Sequence, residues 1–253
     1  VPVITESGIF FFFFVIRLQR EGFCAGLVGT AIMEAKIDTK IQELRGIQYP
    51  FVKVCGISDQ KTLKSIDSNA KKTLTSIGFV VDVPKSHRNL DIGQAVEIKS
   101  TLDYNVLTTV VSKNTAIDRL KIYKHEIDPD FFQIHADLSE FLPKIDEDLK
   151  KRLIVPLKAE AYERYSDLKN ELKIMAREHP SIFAYVLDSS EGSGKAINID
   201  LASKCVQDFP NLRIILAGGL GLDNVIKVLA RCKPYGVDAS TSLESNKIKD
   251  PEK

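Results

Sequence analysis

The sequence predicts an α/β fold, in which a closed (βα)8 barrel is favoured over a doubly wound open sheet. From residue 51 onward, eight short apolar runs alternate with helical patterns. Most of these runs lack a polar residue at every second position, which is typical of strands buried on both faces of a parallel sheet. The length of 253 residues fits one barrel, which takes roughly 250 residues, together with an extension.

The eight predicted strands are rich in Val, Ile and Phe. In chain order they cover residues 51–57, 75–82, 105–112, 131–136, 153–158, 182–188, 213–217 and 236–240. Four helical patterns between them follow a polar residue that can cap a first turn, namely Ser58, Asn114, Ser166 and Asp223. No internal repeat distinguishes the barrel from the open sheet.

Residues 1–48 lie outside this series. They predict a βαβα segment, with strands at 1–4 and 24–28 and helices at 15–21 and 31–44. Residues 45–50 contain Gly46 and Pro50 and are interpreted as a linker. We therefore expect an extension over 1–48 and a barrel over 49–253. Because the sequence stops at Lys253, where the eighth barrel helix is expected to begin, that final helix is expected to be missing.

Composition and charge argue against several classes of function. The formal net charge is +1 and the sequence pI about 7.8, which gives no reason to expect nucleic acid or an anionic membrane as a partner. The apolar run at 9–16 is too short to span a bilayer and has no signal-peptide features. The four cysteines match neither a zinc pattern nor a C-x-x-C redox pair, so we expect reduced thiols in a cytoplasmic protein.

Two reactive side chains end predicted strands, where a barrel builds its active site. Cys55 ends the first strand, and a thiol there can act as nucleophile or base. Asp188 ends the sixth strand, where an apolar surrounding can raise the pKa of a carboxyl group so that it donates a proton. The alternatives are a buried cysteine that fills space and an aspartate that caps a helix or forms a salt bridge.

Loops after the seventh and eighth strands predict a phosphate site. Gly218 and Gly219 follow the seventh strand, and Asp238, Ser240 and Thr241 end the eighth. Backbone N–H groups at these two loops hold a phosphate in many barrels, and adjacent glycines let the backbone approach the anion. The alternative is an ordinary tight turn. The glycine loop at 192–195 lacks the spacing of a Walker motif.

Two further residues are candidates for ligand contacts. Arg88 lies in the loop after the second strand, and its guanidinium can hold a carboxylate through two hydrogen bonds. His135 ends the fourth strand and faces either the site or the core. A solvated surface arginine is the alternative for Arg88.

The combination of these residues is more specific than any one of them, and it resembles the pattern of one enzyme family. The sequence resembles phosphoribosylanthranilate isomerase, a cofactor-free TIM-barrel enzyme, in order over residues 51–250. The matching runs are KVCGI at 53–57, GFVVDVPKSHR at 78–88, QIH at 133–135, LDS at 187–189, GSGK at 192–195, LAGGLGLDNV at 216–225, and GVDASTSLE at 236–244 with KD at 249–250.

The resemblance implies the Amadori rearrangement of N-(5-phosphoribosyl)anthranilate, a step of tryptophan biosynthesis. It implies that Asp188 protonates the ribose ring oxygen and that the Cys55 thiolate removes the proton on C2. Neither a metal nor a nucleotide cofactor is implied. The residues implied in substrate binding are Arg88 for the carboxylate, the backbone around Gly218, Gly219, Ser240 and Thr241 for the phosphate, and also His135 and Asp238.

The sequence departs from the family pattern at three positions. Ala136 replaces a glycine after His135, Asn198 stands where the family often has Asp, and Ser242 replaces a glycine in the phosphate loop. None of these changes removes a proposed catalytic group.

The N-terminal segment has a resemblance of its own. ITESGI at 4–9 and LVGTAIM at 27–33 resemble the last quarter of indole-3-glycerol phosphate synthase, which is fused ahead of the isomerase in some organisms. Because the lysines of that synthase and most of its barrel are missing, we expect no synthase activity. We hypothesise that the helix at 31–44 covers the gap left by the missing eighth helix.

Two other functions remain open from the sequence. One is a non-catalytic, sugar-phosphate-binding barrel remnant of a bifunctional synthase/isomerase. The other is an isomerase of a related aminated sugar phosphate, since barrel loops vary chemistry easily. Arg88 separates this last function from that of a phosphoribosylanthranilate isomerase, because an anthranilate carboxylate needs a cation. A monomer or a homodimer is expected.

Overall fold

A computed structural model describes residues 3–6, 15, 17–18, 23–27, 50–70, 74–102, 106–189 and 197–253. The chain divides into two compact units, Val1–Phe51 and Val52–Lys253. In the first unit, Val3–Glu6 pairs in parallel with Phe23–Leu27, and residues 15, 17 and 18 are helical. The helix predicted at 31–44, and with it the hypothesis that it covers a gap, lies outside the described residues.

Eight strands form a closed barrel. Each strand pairs with its neighbours in chain order, and the first strand pairs with both the second and the eighth. The open-sheet alternative is therefore wrong, and the eight predicted strands are confirmed to within two residues at each end. The strands are β1 Phe51–Cys55, β2 Ser76–Val81, β3 Leu107–Ser112, β4 Phe131–Ile134, β5 Leu153–Lys158, β6 Ala184–Asp188, β7 Ile214–Ala217 and β8 Gly236–Ala239.

Helices follow the first seven strands. They are α1 Gln60–Ala70, α2 Ile92–Ser100, α3 Ile117–Ile122, α4 Glu147–Lys150, α5 Tyr165–Glu178, α6 Ile199–Asp208 and α7 Val225–Cys232. Shorter elements are a π-helix at Tyr123–Ile127, 3-10 turns at Leu142–Lys144, Ala159–Ala161 and Thr241–Leu243, and short strands at Asn89–Leu90, Glu244–Ser245 and Ile248–Lys249. The described residues 240–253 include the last of these turns and an antiparallel strand pair, but no α-helix.

The structure corrects all four predicted helix caps. Ser166 lies inside α5, which begins at Tyr165, and the residue directly before α7 is Asn224 instead of Asp223, with no capping hydrogen bond from its side chain.

At α1 the side chain of Asp59, not that of Ser58, accepts a hydrogen bond from the Thr62 backbone N–H, at 2.7 Å. A carboxylate is favoured there because its charge also interacts with the positive end of the helix dipole. Asn114 accepts from the Ala116 backbone N–H at 2.9 Å, so it forms a turn ahead of α3 instead of a cap.

Two helices that the sequence reading did not single out have clear caps of their own. The Asp91 carboxylate accepts from the backbone of Gln94, and the Gln94 side chain accepts in return from the backbone of Asp91, which is a capping box for α2. The Asn198 side chain caps α6 by accepting from the Leu201 backbone N–H at 3.1 Å. This departure from the family pattern therefore still supplies a helix cap.

The strands bury both of their faces, as the unalternated runs predict. Every residue of β2 and of β3 is buried. Outward-facing side chains pack against the helices in one large apolar cluster that includes Phe79, Phe132 and Leu216. The interior also holds buried polar groups, among them Lys53 and Asp238. In the described part of the chain, no helix has both the length and the apolar character needed to cross a membrane.

Candidate active site

A cavity of about 590 Å³ opens at the carboxyl ends of the barrel strands. This is an ordinary size and place for a small-molecule site in a barrel. The structure brings all nine predicted site residues to its wall, although they come from six strands or the loops that follow them. These residues are Cys55, Arg88, His135, Asp188, Gly218, Gly219, Asp238, Ser240 and Thr241. The glycine loop predicted at 192–195 lies outside the described residues.

Cys55 is the last residue of β1 and is only 9% exposed. Burial raises the pKa of its thiol, because a thiolate is poorly solvated there. The positive charge of Lys53 acts most strongly against this rise, followed by that of Lys249 and that of Arg88, whereas Asp238 adds to it. The backbone carbonyl of Cys55 accepts a hydrogen bond from the Ser240 hydroxyl at 2.9 Å, which ties the end of β1 to the end of β8.

Asp188 is the last residue of β6 and is partly exposed to the cavity. It pairs in register with Ala217 of β7 and Lys158 of β5, so the barrel fixes its backbone on both sides. Two strands, β7 and β8, separate it from β1. Asp188 and Cys55 therefore approach a ligand in the cavity from different parts of the wall.

Arg88 is positioned by the C-terminal segment of the chain. Its Nε and Nη2 donate to the two carboxylate oxygens of Glu244 at 2.5 and 2.9 Å, and Nη2 also donates to the Thr241 hydroxyl at 3.0 Å. A Cβ atom on Gly56 would overlap the Arg88 side chain, so the glycine after Cys55 leaves room for it. The two-point carboxylate contact predicted for Arg88 is thus made within the chain, and Nη1 makes no hydrogen bond to the described residues.

Glu244 gathers three basic side chains at the cavity wall. Besides Arg88, it accepts from the Lys249 ammonium at 2.7 Å and lies 3.2 Å from Nε2 of His87. Burial alone would raise the pKa of Glu244, but the hydrogen bonds from Arg88 and Lys249 outweigh it and lower the pKa to about 2. Glu244 is therefore a carboxylate throughout the physiological pH range.

The two loops predicted to bind phosphate lie next to each other. Gly218 and Gly219 have φ angles of 107° and 58°, which turn the chain sharply after β7. Asn224 fixes this turn, since its side chain donates to the Gly219 carbonyl at 2.8 Å. The Ser242 hydroxyl donates to the Leu220 carbonyl and links the two loops. The serine that replaces a family glycine therefore serves to join them.

Replacing Gly218 with alanine tests the backbone requirement of this turn. The new Cβ would overlap the Ser189 hydroxyl in a backbone conformation that alanine disfavours. We expect a loss of about 1–3 kcal/mol in the free energy of unfolding, measured by denaturant titration. Gly93→Ala in α2 is the matched control, because an added Cβ would meet only the Asp91 carboxylate at an ordinary contact distance of 3.4 Å and alanine favours a helix. Equal stability of the two variants would contradict the assignment.

His135 lies just beyond β4 and contacts Gln133 of that strand. The side-chain amide nitrogen of Gln133 is 2.8 Å from His135 Nε2, which is a hydrogen-bond distance. The Oε1 atom of Gln133 is buried and has no hydrogen-bond partner among the described residues. Because a buried acceptor without a partner is costly, Gln133 joins His135 as a candidate for ligand contacts.

Sequence reasoning assigned no role to Lys53, Glu244 and Lys249, although all three lie in quoted motifs. A lysine inside an apolar strand is the signal for Lys53, since charged groups are rarely buried without a partner. Glu244 and Lys249 give no comparable signal in the sequence, because their importance comes from contacts between loops that are far apart along the chain. In the described part of the chain, no three His, Cys, Asp or Glu side chains are arranged to hold a metal ion.

Comparison with known proteins agrees with this architecture. The family model for N-(5'-phosphoribosyl)anthranilate isomerase matches residues 52–253. The N-(5'-phosphoribosyl)anthranilate isomerase of Pyrococcus abyssi is 31% identical over 207 residues, which cover 80% of this chain and 93% of the relative. That of Methanocaldococcus jannaschii is 29% identical over 206 residues, covering 77% and 88%.

Solved structures share the fold. The isomerase of Pyrococcus furiosus superposes with a TM-score of 0.65 at 24% identity, covering 81% of this chain and 94% of that one. A phosphoribosyl anthranilate isomerase in complex with reduced 1-(o-carboxyphenylamino)-1-deoxyribulose 5-phosphate superposes with a TM-score of 0.61 at 23% identity, covering 80% and 93%. Since the family match spans the barrel from Val52 onward and includes all nine predicted site residues, the chain belongs to the N-(5'-phosphoribosyl)anthranilate isomerase family.

Proposed function

We propose that Cys55 and Asp188 are the general base and the general acid with which this chain converts N-(5-phosphoribosyl)anthranilate to 1-(2-carboxyphenylamino)-1-deoxyribulose 5-phosphate. This conversion is the reaction of the family and a step of tryptophan biosynthesis. The observation that supports the residue roles is the cavity itself, which places a thiol and a carboxylate on separate strands of one wall. A sugar held between them can exchange protons with both.

The proposed reaction begins with two proton transfers. Asp188 gives its proton to the ribose ring oxygen, the bond from that oxygen to C1 breaks, and the nitrogen lone pair forms a protonated imine at C1. The Cys55 thiolate takes the proton on C2, which the adjacent imine has made acidic, and the electrons of that C–H bond form an enolamine. Protonation at C1 by the Cys55 thiol and loss of the C2 hydroxyl proton to the Asp188 carboxylate then yield the ketose product and restore both groups.

Two groups of residues are proposed to hold the anionic ends of the substrate. Nη1 of Arg88 would donate to the anthranilate carboxylate, while the backbone around Gly218, Gly219, Ser240 and Thr241 would hold the phosphate. The Oδ1 atom of Asp238 is buried and lacks a hydrogen-bond partner in the described residues, so a substrate hydroxyl would supply one. His135 is the remaining proposed contact.

The direct test is turnover of freshly prepared phosphoribosylanthranilate by the full chain, followed as loss of anthranilate fluorescence. We expect saturable turnover. A folded chain that binds the reduced product analogue but converts no substrate would contradict the proposal. Binding of that analogue is measured by calorimetry, so that folding and catalysis are judged separately.

The carboxylate assignment predicts a selective effect of Arg88→Met. Loss of a charge-assisted hydrogen bond should raise KM for phosphoribosylanthranilate about 10- to 100-fold. The control is a substrate without the carboxylate, N-(5-phosphoribosyl)aniline, whose KM should change little. An equal increase in KM for both substrates would mean that Arg88 supports the loop and does not recognise the carboxylate.

The N-terminal unit is proposed to derive from the last quarter of indole-3-glycerol phosphate synthase. The motif resemblance supports this, and so does the parallel pair Val3–Glu6 and Phe23–Leu27, because consecutive strands of a (βα)8 barrel pair in this way. An experimental structure that places the two strands in another architecture would contradict it.

The assembly is proposed to be a monomer or a homodimer. Among solved relatives, phosphoribosylanthranilate isomerase of Thermotoga maritima is described as dimeric. Sedimentation equilibrium of the full chain distinguishes the two states, and a larger particle would contradict both.

A further inference from the structure

A buried ion pair lies in the barrel interior, next to the proposed base. The Lys53 ammonium is 2.6 Å from Oδ2 of Asp238, and the two side chains are 1% and 8% exposed. Each buried ion loses solvation worth several kcal/mol, and an apolar pair of similar volume is often no less stable. A gain in stability is therefore a weak explanation for this pair. An effect on the neighbouring Cys55 thiol explains it better.

Lys53 shares one face of β1 with Cys55, since side chains two residues apart point the same way. The other charged groups that act on the sulfur come from three more elements: Asp238 on β8, Lys249 after β8 and Arg88 after β2. Of all these charges, that of Lys53 acts most strongly on Cys55, and its effect exceeds the opposite effect of Asp238. Lys53 is therefore the positive charge that acts most strongly on the thiol.

The other two cations act on the sulfur less strongly than Lys53, and they share one carboxylate. Arg88 and Lys249 both donate to Glu244, whose carboxylate also lies against the cavity wall. Lys53 has its counter-ion on the neighbouring strand and is held there by the barrel. Asp238 thus fixes the position of the ammonium without cancelling its effect on the sulfur.

We propose that Lys53, held by Asp238, is a positioning residue that stabilises the thiolate of Cys55 and so sets the fraction of enzyme able to remove the substrate proton. This inference rests on the proposed role of Cys55 as the base. Without the ammonium, the buried sulfur keeps its proton to higher pH, and the base is present in a smaller fraction of molecules.

The test is the pH dependence of Cys55 alkylation by iodoacetamide, a neutral reagent, followed by mass spectrometry of the cysteine-containing peptides. Three full-length proteins are compared: wild type, Lys53→Arg, and the paired variant Lys53→Met with Asp238→Asn, which leaves no unpaired buried charge. In the paired variant the midpoint of alkylation should rise by about one pH unit, and the rate at pH 8 should fall about tenfold. Lys53→Arg keeps a positive charge at this position and should retain most of the wild-type pH dependence of Cys55 alkylation.

Cys205 serves as an internal reference in every sample. It is buried in α6, and burial raises its pKa to about 12, so its slow alkylation should be the same in all three proteins. An unchanged Cys55 midpoint in the folded paired variant would overturn the inference. Turnover is measured separately. If the paired variant had a shifted midpoint of Cys55 alkylation but the kcat/KM of the wild type at every pH, the effect of Lys53 on the thiol would be supported. The role of Cys55 as the base would then be overturned.

Discussion

Replacement of Cys55 by alanine is expected to lower kcat by at least about 10²-fold, because it removes the group proposed to take the proton from C2 of the substrate. Alanine has no group that can accept a proton in place of the thiolate. The truncation removes a single sulfur from the cavity wall, so the fold should persist. Loss of anthranilate fluorescence under saturating substrate measures the effect.

A matched control separates lost chemistry from lost structure. Cys205→Ala removes the same sulfur from the buried face of α6, outside the cavity. It should cost stability, as core truncations do, but leave kcat per folded molecule unchanged. Cys55→Ala should still bind the reduced product analogue. A Cys55→Ala variant with the kcat of the wild type would falsify the assignment of the base.

Asp188→Asn is expected to lower kcat by about 10²- to 10⁴-fold. Asparagine has nearly the same shape, but its amide cannot deliver a proton to the ribose ring oxygen, so the ring must open without acid assistance. The backbone of this residue is held by β5 and β7, and the exchange should leave the barrel intact. The same fluorescence assay gives the result.

The control for this second variant is Asp223→Asn, which makes the same exchange at an exposed position ahead of α7. We expect its kcat to equal that of the wild type. If Asp188→Asn kept full activity, the acid would have to be sought elsewhere on the cavity wall.

The strands of the barrel could be predicted because parallel strands bury both faces and leave an unbroken apolar run in the sequence. The helix caps were less predictable, since Ser58 and Asp59 are adjacent and either can accept the first free N–H group of a helix. In the structure it is Asp59 that accepts the hydrogen bond, from the backbone N–H of Thr62. The capping box at Asp91 and Gln94 is recognisable in the sequence from the spacing of these two residues.

The positions of the site residues followed from their place at strand ends, but their partners did not. Lys53 and Asp238 are 185 positions apart, and only the closure of β1 against β8 makes them neighbours. Arg88 was expected to meet a ligand carboxylate, whereas the structure pairs it with Glu244, 156 positions away. Contacts of this kind depend on register and loop geometry, which a single sequence does not carry.

The short turn at Thr241–Leu243 has a consequence for ligand size. Its first residue belongs to the proposed phosphate loop, and Glu244, which directly follows its last residue, orients Arg88. If the proposed binding roles hold, this turn of three residues sets the distance between the phosphate and the carboxylate of a bound ligand. We expect that inserting or deleting a residue in this turn would change the distance between phosphate and carboxylate that a bound ligand must have. Neither proposed catalytic residue would be altered.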